Sequence, residues 1–183
     1  MARIPYFDPE QAPERVLRAM AGKRKINIFR MIANSENSAP EVLALGQTLS
    51  KGSSLDPAHR EVVILRVAHL TNAAYQWHEH TTVAKRVGFT AEKIDAIAAY
   101  TSREPGIILS PFERTLIEFT DAVVITATAP DELFDAVRTD YNDSRVVELV
   151  LLIGFYMMVA RVMNTFHLEL ENEKVGSYHL RLD

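Results

Sequence analysis

Cysteine is absent from all 183 residues. Without a thiol there can be no disulfide, no thiolate metal site, and no peroxidase or reductase chemistry that runs through sulfur. Stretches that alternate apolar and polar residues over a strand's length are missing as well. The β-branched residues fall inside helical periods instead, so the expected fold is all-α. No basic block exists: 20 Lys and Arg stand against 24 Asp and Glu, a net charge of -4, which argues against nucleic acid as a partner. The longest uncharged apolar run, Leu149 to Ala160, is short for a bilayer, and the N-terminal MARIPYFDPEQAPERV lacks the apolar centre of a signal peptide. A cytoplasmic protein with no membrane partner is the expectation. At 48% hydrophobic content the chain can bury one sizeable core, read as a single domain over residues 1–183, with 1–8 as an extended arm and 172–183 as a tail.

What the chain does contain is concentrated in REVVILRVAHLTNAAYQWHEH, residues 60–80. Val62, Val63, Ile64, Leu65, Val67, Ala68 and Leu70 predict a helix buried on most sides, preceded by Asp56 as N-cap and Pro57 at its first position. Glu61 shares a face with Leu65, Ala68 and Asn72, which makes a partly buried carboxylate. After a weak point at Thr71-Asn72 a second helix runs from about Ala74 to Val87, closed by Gly88, with Gln76 and His80 one turn apart, Trp77 beside them and His78 facing away. A helix, a bend and a helix can bring Glu61 to His80, and a carboxylate beside an imidazole is an acid/base pair suited to neutral pH. Structural explanations stand beside that one: the helix dipole favours a carboxylate in a first turn, and a half-buried histidine can be bonded to a carbonyl. His69 and His78 read as structural. His78 and His80, two positions apart, cannot make a helical metal pair, and no metal or cofactor is expected.

The rest of the chain reads as walls for this pair. Helices are expected over 9–22, 27–33 and from a Ser38 cap to Gly52, then from a Thr90 cap to Tyr100, across a turn at Pro105-Gly106, and from a Ser110-Pro111-Phe112-Glu113 capping box to about Thr126. Two more follow, one from Pro130 and one from an Asp143 or Ser144 cap to about Leu170. That last helix is apolar on all sides from Leu149 to Ala160, so part of it, with Gly154 allowing close approach, is expected to face another copy of the chain. Arg161 interrupts its apolar surface and calls for a carboxylate or ligand anion as partner.

Glu61 and Ala73 are twelve apart, Ala73 and Gln76 three, Gln76 and His80 four. With REVVILRVAHLT, YQWHEH, VGFT and VELVLLIGFYMMVARVMN around it, this frame resembles the carboxymuconolactone decarboxylase and alkylhydroperoxidase D superfamily, whose peroxidase members carry cysteine where Ala73 and Gln76 stand. The resemblance spans most of the chain from about Phe7 to Leu170 and is to a cysteine-lacking branch. It implies an all-α helical bundle assembled into trimers or hexamers, with the site under the helix pair. It also implies decarboxylase-type chemistry on a small anionic lactone or keto acid, with His80 as general acid/base, Glu61 orienting it, and Tyr75, Gln76, Trp77 and Asn72 lining the pocket. The alternatives are a non-catalytic, ligand-sensing homo-oligomer and an antioxidant peroxidase, the last disfavoured because its thiols are missing.

Overall fold

The computed structural model describes residues 1–9, 12–101 and 108–171. Among these residues there are nine α-helices and no strand. They are α1 Glu14–Met20, α2 Asn27–Ile32, α3 Ala39–Gln47, α4 Pro57–Leu70, α5 Ala74–Arg86, α6 Ala91–Ala99, α7 Pro111–Thr126, α8 Asp131–Arg138 and α9 Asp143–Thr165. The chain divides into two compact units, one of residues 1–52 with 162–183 and one of 53–161. The expected 172–183 tail and the Pro105-Gly106 turn lie outside the described residues.

In the first unit α1 and α2 pack on α3, and Phe7, Val16, Met20, Ala33 and Leu43 form a buried cluster. Phe7 shows how the N-terminal segment is held in this unit: its ring is buried, and its backbone N–H donates to the Arg30 carbonyl at 3.2 Å. The α1 helix is shorter than the 9–22 expected, because Pro13 supplies its N-cap and Gly22, at φ +69°, ends the turn that follows it. Ser38 holds the N-cap position of α3 as expected, but its hydroxyl makes no capping bond and instead bonds the Ser35 hydroxyl at 2.6 Å. After Gln47 the chain widens into one π-helical turn, Thr48–Gly52.

The second unit is built on α4. Every residue from Glu61 to Ala68 is buried, and α5, α6 and α7 all pack on it. Asp56 caps α4 as its position predicts, its side chain accepting from the Ala58 and His59 amides at 2.7 and 3.3 Å. Ser110 and Glu113 form the expected capping box of α7, with reciprocal bonds of 3.2 and 2.8 Å. Arg66, buried in the middle of α4, was not singled out by the sequence, yet it ties three helices. Its Nε and Nη2 donate to both oxygens of Asp121 on α7 at 2.6 and 2.7 Å, and its remaining N–H groups reach the Ile97, Ala98 and Tyr100 carbonyls at 2.9, 3.0 and 3.3 Å. One guanidinium thus satisfies the otherwise orphaned C-terminal carbonyls of α6.

The α9 helix begins under a different cap from those expected: Asn142 Oδ1 accepts the Arg145 N–H at 3.0 Å. It stops at Thr165, short of Leu170, and His167 takes a left-handed φ of 52°. Leu149, Leu152, Ile153 and Tyr156 are buried, while Val147, Val150, Leu151 and Met158 are exposed. Arg161 needs no carboxylate: its Nη1 donates to the Met157 carbonyl one turn back at 2.8 Å, and the side chain is exposed. At 23 residues, α9 is the one described helix long and apolar enough to cross a membrane by length and composition, longer than its uncharged run suggests; half of its apolar window is buried inside the protein, and Glu148 within it accepts from Ser54.

Candidate active site

Glu61 reaches its place because Asp56 and Pro57 fix where α4 begins, leaving the carboxylate one turn in and 5% exposed. His80 reaches its place because the chain reverses sharply between α4 and α5. The reversal is made at Asn72, whose φ of 51° lies in the left-handed region that asparagine tolerates better than most residues. Two rungs then join the antiparallel helices. Nδ1 of His80 lies 2.9 Å from Oε2 of Glu61, and Nε2 of Gln76 donates to the Ile64 carbonyl at 3.1 Å. Positions 61 and 64 on one helix thus meet 80 and 76 on the other. A carboxylate accepts, so the ring proton sits on Nδ1 and Nε2 is left for other chemistry.

Tyr156 of α9 closes against the imidazole, the rings edge to face at 5.0 Å and 89°. Burial pushes its phenol well above the ordinary range, and the Glu61 carboxylate pushes the same way, so this hydroxyl stays protonated at any physiological pH. Nothing in the pattern of residues points to Tyr156, which lies 76 positions from His80 inside an apolar run. His80 keeps 18% of its side chain exposed and is the more accessible member of the pair.

The pocket-lining residues expected from the resemblance separate. Gln76 belongs to the site, fully buried one turn before His80. Tyr75 is buried on the same first turn of α5. Trp77 is half-buried and packs its ring on His69, 6.4 Å between centroids, about 12 Å further along α4 than Glu61 by helical rise. Asn72 is exposed at the bend, where its backbone conformation is what the structure uses. No cluster of three metal-ligating side chains occurs among the described residues.

A second histidine passed unnoticed in the sequence. His59 Nδ1 lies 2.9 Å from the Tyr141 hydroxyl, with Phe112 edge-on to both rings. Burial first, then the Asp56 charge, pushes the Tyr141 phenol up to about 12.

Residues 41–103, which contain the whole α4–α5 pair, match the model of the carboxymuconolactone decarboxylase family. An uncharacterized Bacillus subtilis protein, YdfG, is 29% identical over 107 residues, covering 57% of this chain and 71% of its own. The fold is shared with an alkylhydroperoxidase AhpD core structure, a peroxidase-related protein of Ralstonia eutropha, at TM-score 0.78 and 17% identity over 93% of both chains. It is shared as well with the debrominase Bmp8, at TM-score 0.73 and 16% identity over 91% of both.

Proposed function

From the match of residues 41–103 to the carboxymuconolactone decarboxylase family and the fold shared with an AhpD core structure, we propose that the chain is an acid/base enzyme of the decarboxylase type, acting on a small anionic lactone or keto acid. The observation that carries this reading is the 2.9 Å contact between His80 and a buried Glu61. Glu61 fixes the tautomer and orientation of the ring, and Nε2 holds or delivers a proton. In such a substrate the bond to the carboxylate breaks, its electron pair is taken up by the neighbouring carbonyl as an enolate, and carbon dioxide leaves. His80, having taken a second proton from water onto Nε2 and held as imidazolium by the Glu61 carboxylate, gives that proton to the carbon and returns to its Nδ1–H form. The electron sink belongs to the substrate, so the scheme needs no cofactor. Sulfur-based peroxide reduction is closed to this chain, since it contains no cysteine.

We place this chemistry in a cytoplasmic homo-oligomer, a trimer or hexamer. Supporting it is the exposed row Val147, Val150, Leu151 and Met158, which with Gly154 recurs at i, i+3, i+4, i+7 and i+11 along one face of α9. A Cβ built on Gly154 meets nothing within 4 Å, so that face is open at its middle. A second reading, a ligand-sensing oligomer without turnover, draws on how little of the pair is open to solvent. The test is carbon dioxide release from a panel of β-keto and lactone acids by the wild type, His80→Ala and Glu61→Gln. Turnover is expected in the wild type alone, with losses of about 10²-fold or more in the variants. Equal rates in all three, or none in the wild type, refute the enzyme.

A further inference from the structure

Gln76 is fully buried, and among the described residues its Oε1 has no hydrogen-bond partner. The amide cannot solve this by turning over, because its Nε2 donates to the Ile64 carbonyl and a flip would set one acceptor against another. The unmet acceptor is therefore fixed in direction. Leaving such a group buried carries the full cost of its desolvation, a penalty proteins seldom bear without use. It sits four residues, about 6 Å of helical rise, from His80. Thr81, on the other side of His80, holds a second buried oxygen without a partner among the described residues. A hydroxyl can rotate to donate or accept, whereas a carboxamide oxygen can only accept, so of the two Gln76 is the selective one.

We propose that Gln76 Oε1 selects the substrate, accepting a hydrogen bond from an N–H or O–H that a small anionic ligand carries beside the group held at His80. Ligands without that donor leave the oxygen unpaired and are rejected. A site built to bond a polar group discriminates far more strongly than one that only measures shape. This inference rests on the reading of Glu61 and His80 as the ligand site, but it concerns binding and not turnover.

The experiment is calorimetric titration with two shape-matched pairs, pyrrole-2-carboxylate against furan-2-carboxylate and salicylate against 2-methoxybenzoate. In the wild type the donor-bearing member of at least one pair is expected to bind about tenfold tighter. Gln76→Met should bind both members alike, and His80→Ala should keep the ratio while weakening both. Thermal unfolding confirms that each variant is folded, with Gln76→Leu in reserve if Gln76→Met is not. Equal binding within both pairs, a preference that survives loss of the acceptor, or no saturable binding by any of the four overturns the proposal. So does a crystallographic water that holds Oε1 with and without ligand. A preserved ratio in a protein without turnover would defeat the catalytic reading alone; turnover without any ratio would defeat this one alone.

Discussion

Glu113 shows how much a single side chain can carry. Burial alone would raise its carboxyl, but Lys93 at 2.6 Å, the Ser110 N–H and the Lys93 charge pull it below the ordinary 4.5. A carboxyl depressed by folding adds stability at pH values above its unfolded pKa and loses it as pH falls through the folded one. Glu113→Gln should therefore cost stability at neutral pH and flatten the fall in melting temperature below about pH 4.5, measured by thermal unfolding across pH. Arg66 is the stronger case, since removing it strands Asp121 and three carbonyls. Arg66→Ala should lose about 3–5 kcal/mol in urea unfolding, and Arg66→Lys should recover little, an ammonium being unable to bond both Asp121 oxygens and the α6 end at once. Residues differ in how visible such duties are beforehand. Glu61 and His80 were legible because each sits at a fixed offset in a frame whose local periods put both on facing surfaces. Arg66 and Tyr156 were not, since their partners lie 55 and 76 positions away and only tertiary packing brings them near.

Helices announced themselves best where their first turns carried chemistry. Asp56, Thr90 and Ser110 cap as their positions predict, because a side chain that bonds its own backbone needs nothing from the rest of the fold. Ends were harder: α1 and α9 are shorter than their apolar periods suggest, and α3 reaches the expected Gly52 only by widening into a π-helical turn after Gln47, as periodicity marks a buried face and not where the hydrogen-bond ladder stops. The end of α7 offers a test. Ala127 takes φ +62° and its N–H closes on the Val123 carbonyl at 3.1 Å, a left-handed cap that glycine fills without steric cost. Ala127→Gly should raise stability by about 1 kcal/mol in chemical denaturation, against the usual direction of such a change. A loss would mean that the strain at this position is smaller than the added freedom of the unfolded chain.

For the whole molecule, the all-α architecture followed from the want of any strand period, and the described residues bear it out. The division into two compact units carried no signal in composition. Assembly is the property still to be measured: Val150→Asp with Leu151→Asp should reduce the mass found by light scattering to that of one 20.6 kDa chain while leaving helical content unchanged. A wild type already of that mass would remove the basis for an oligomer. The helix that bears this row also carries Tyr156, whose ring rests on His80. Under the proposed function such a helix would let the protein read its own concentration: on dilution, catalysis per chain is expected to fade together with the association, and restoring the concentration to bring it back.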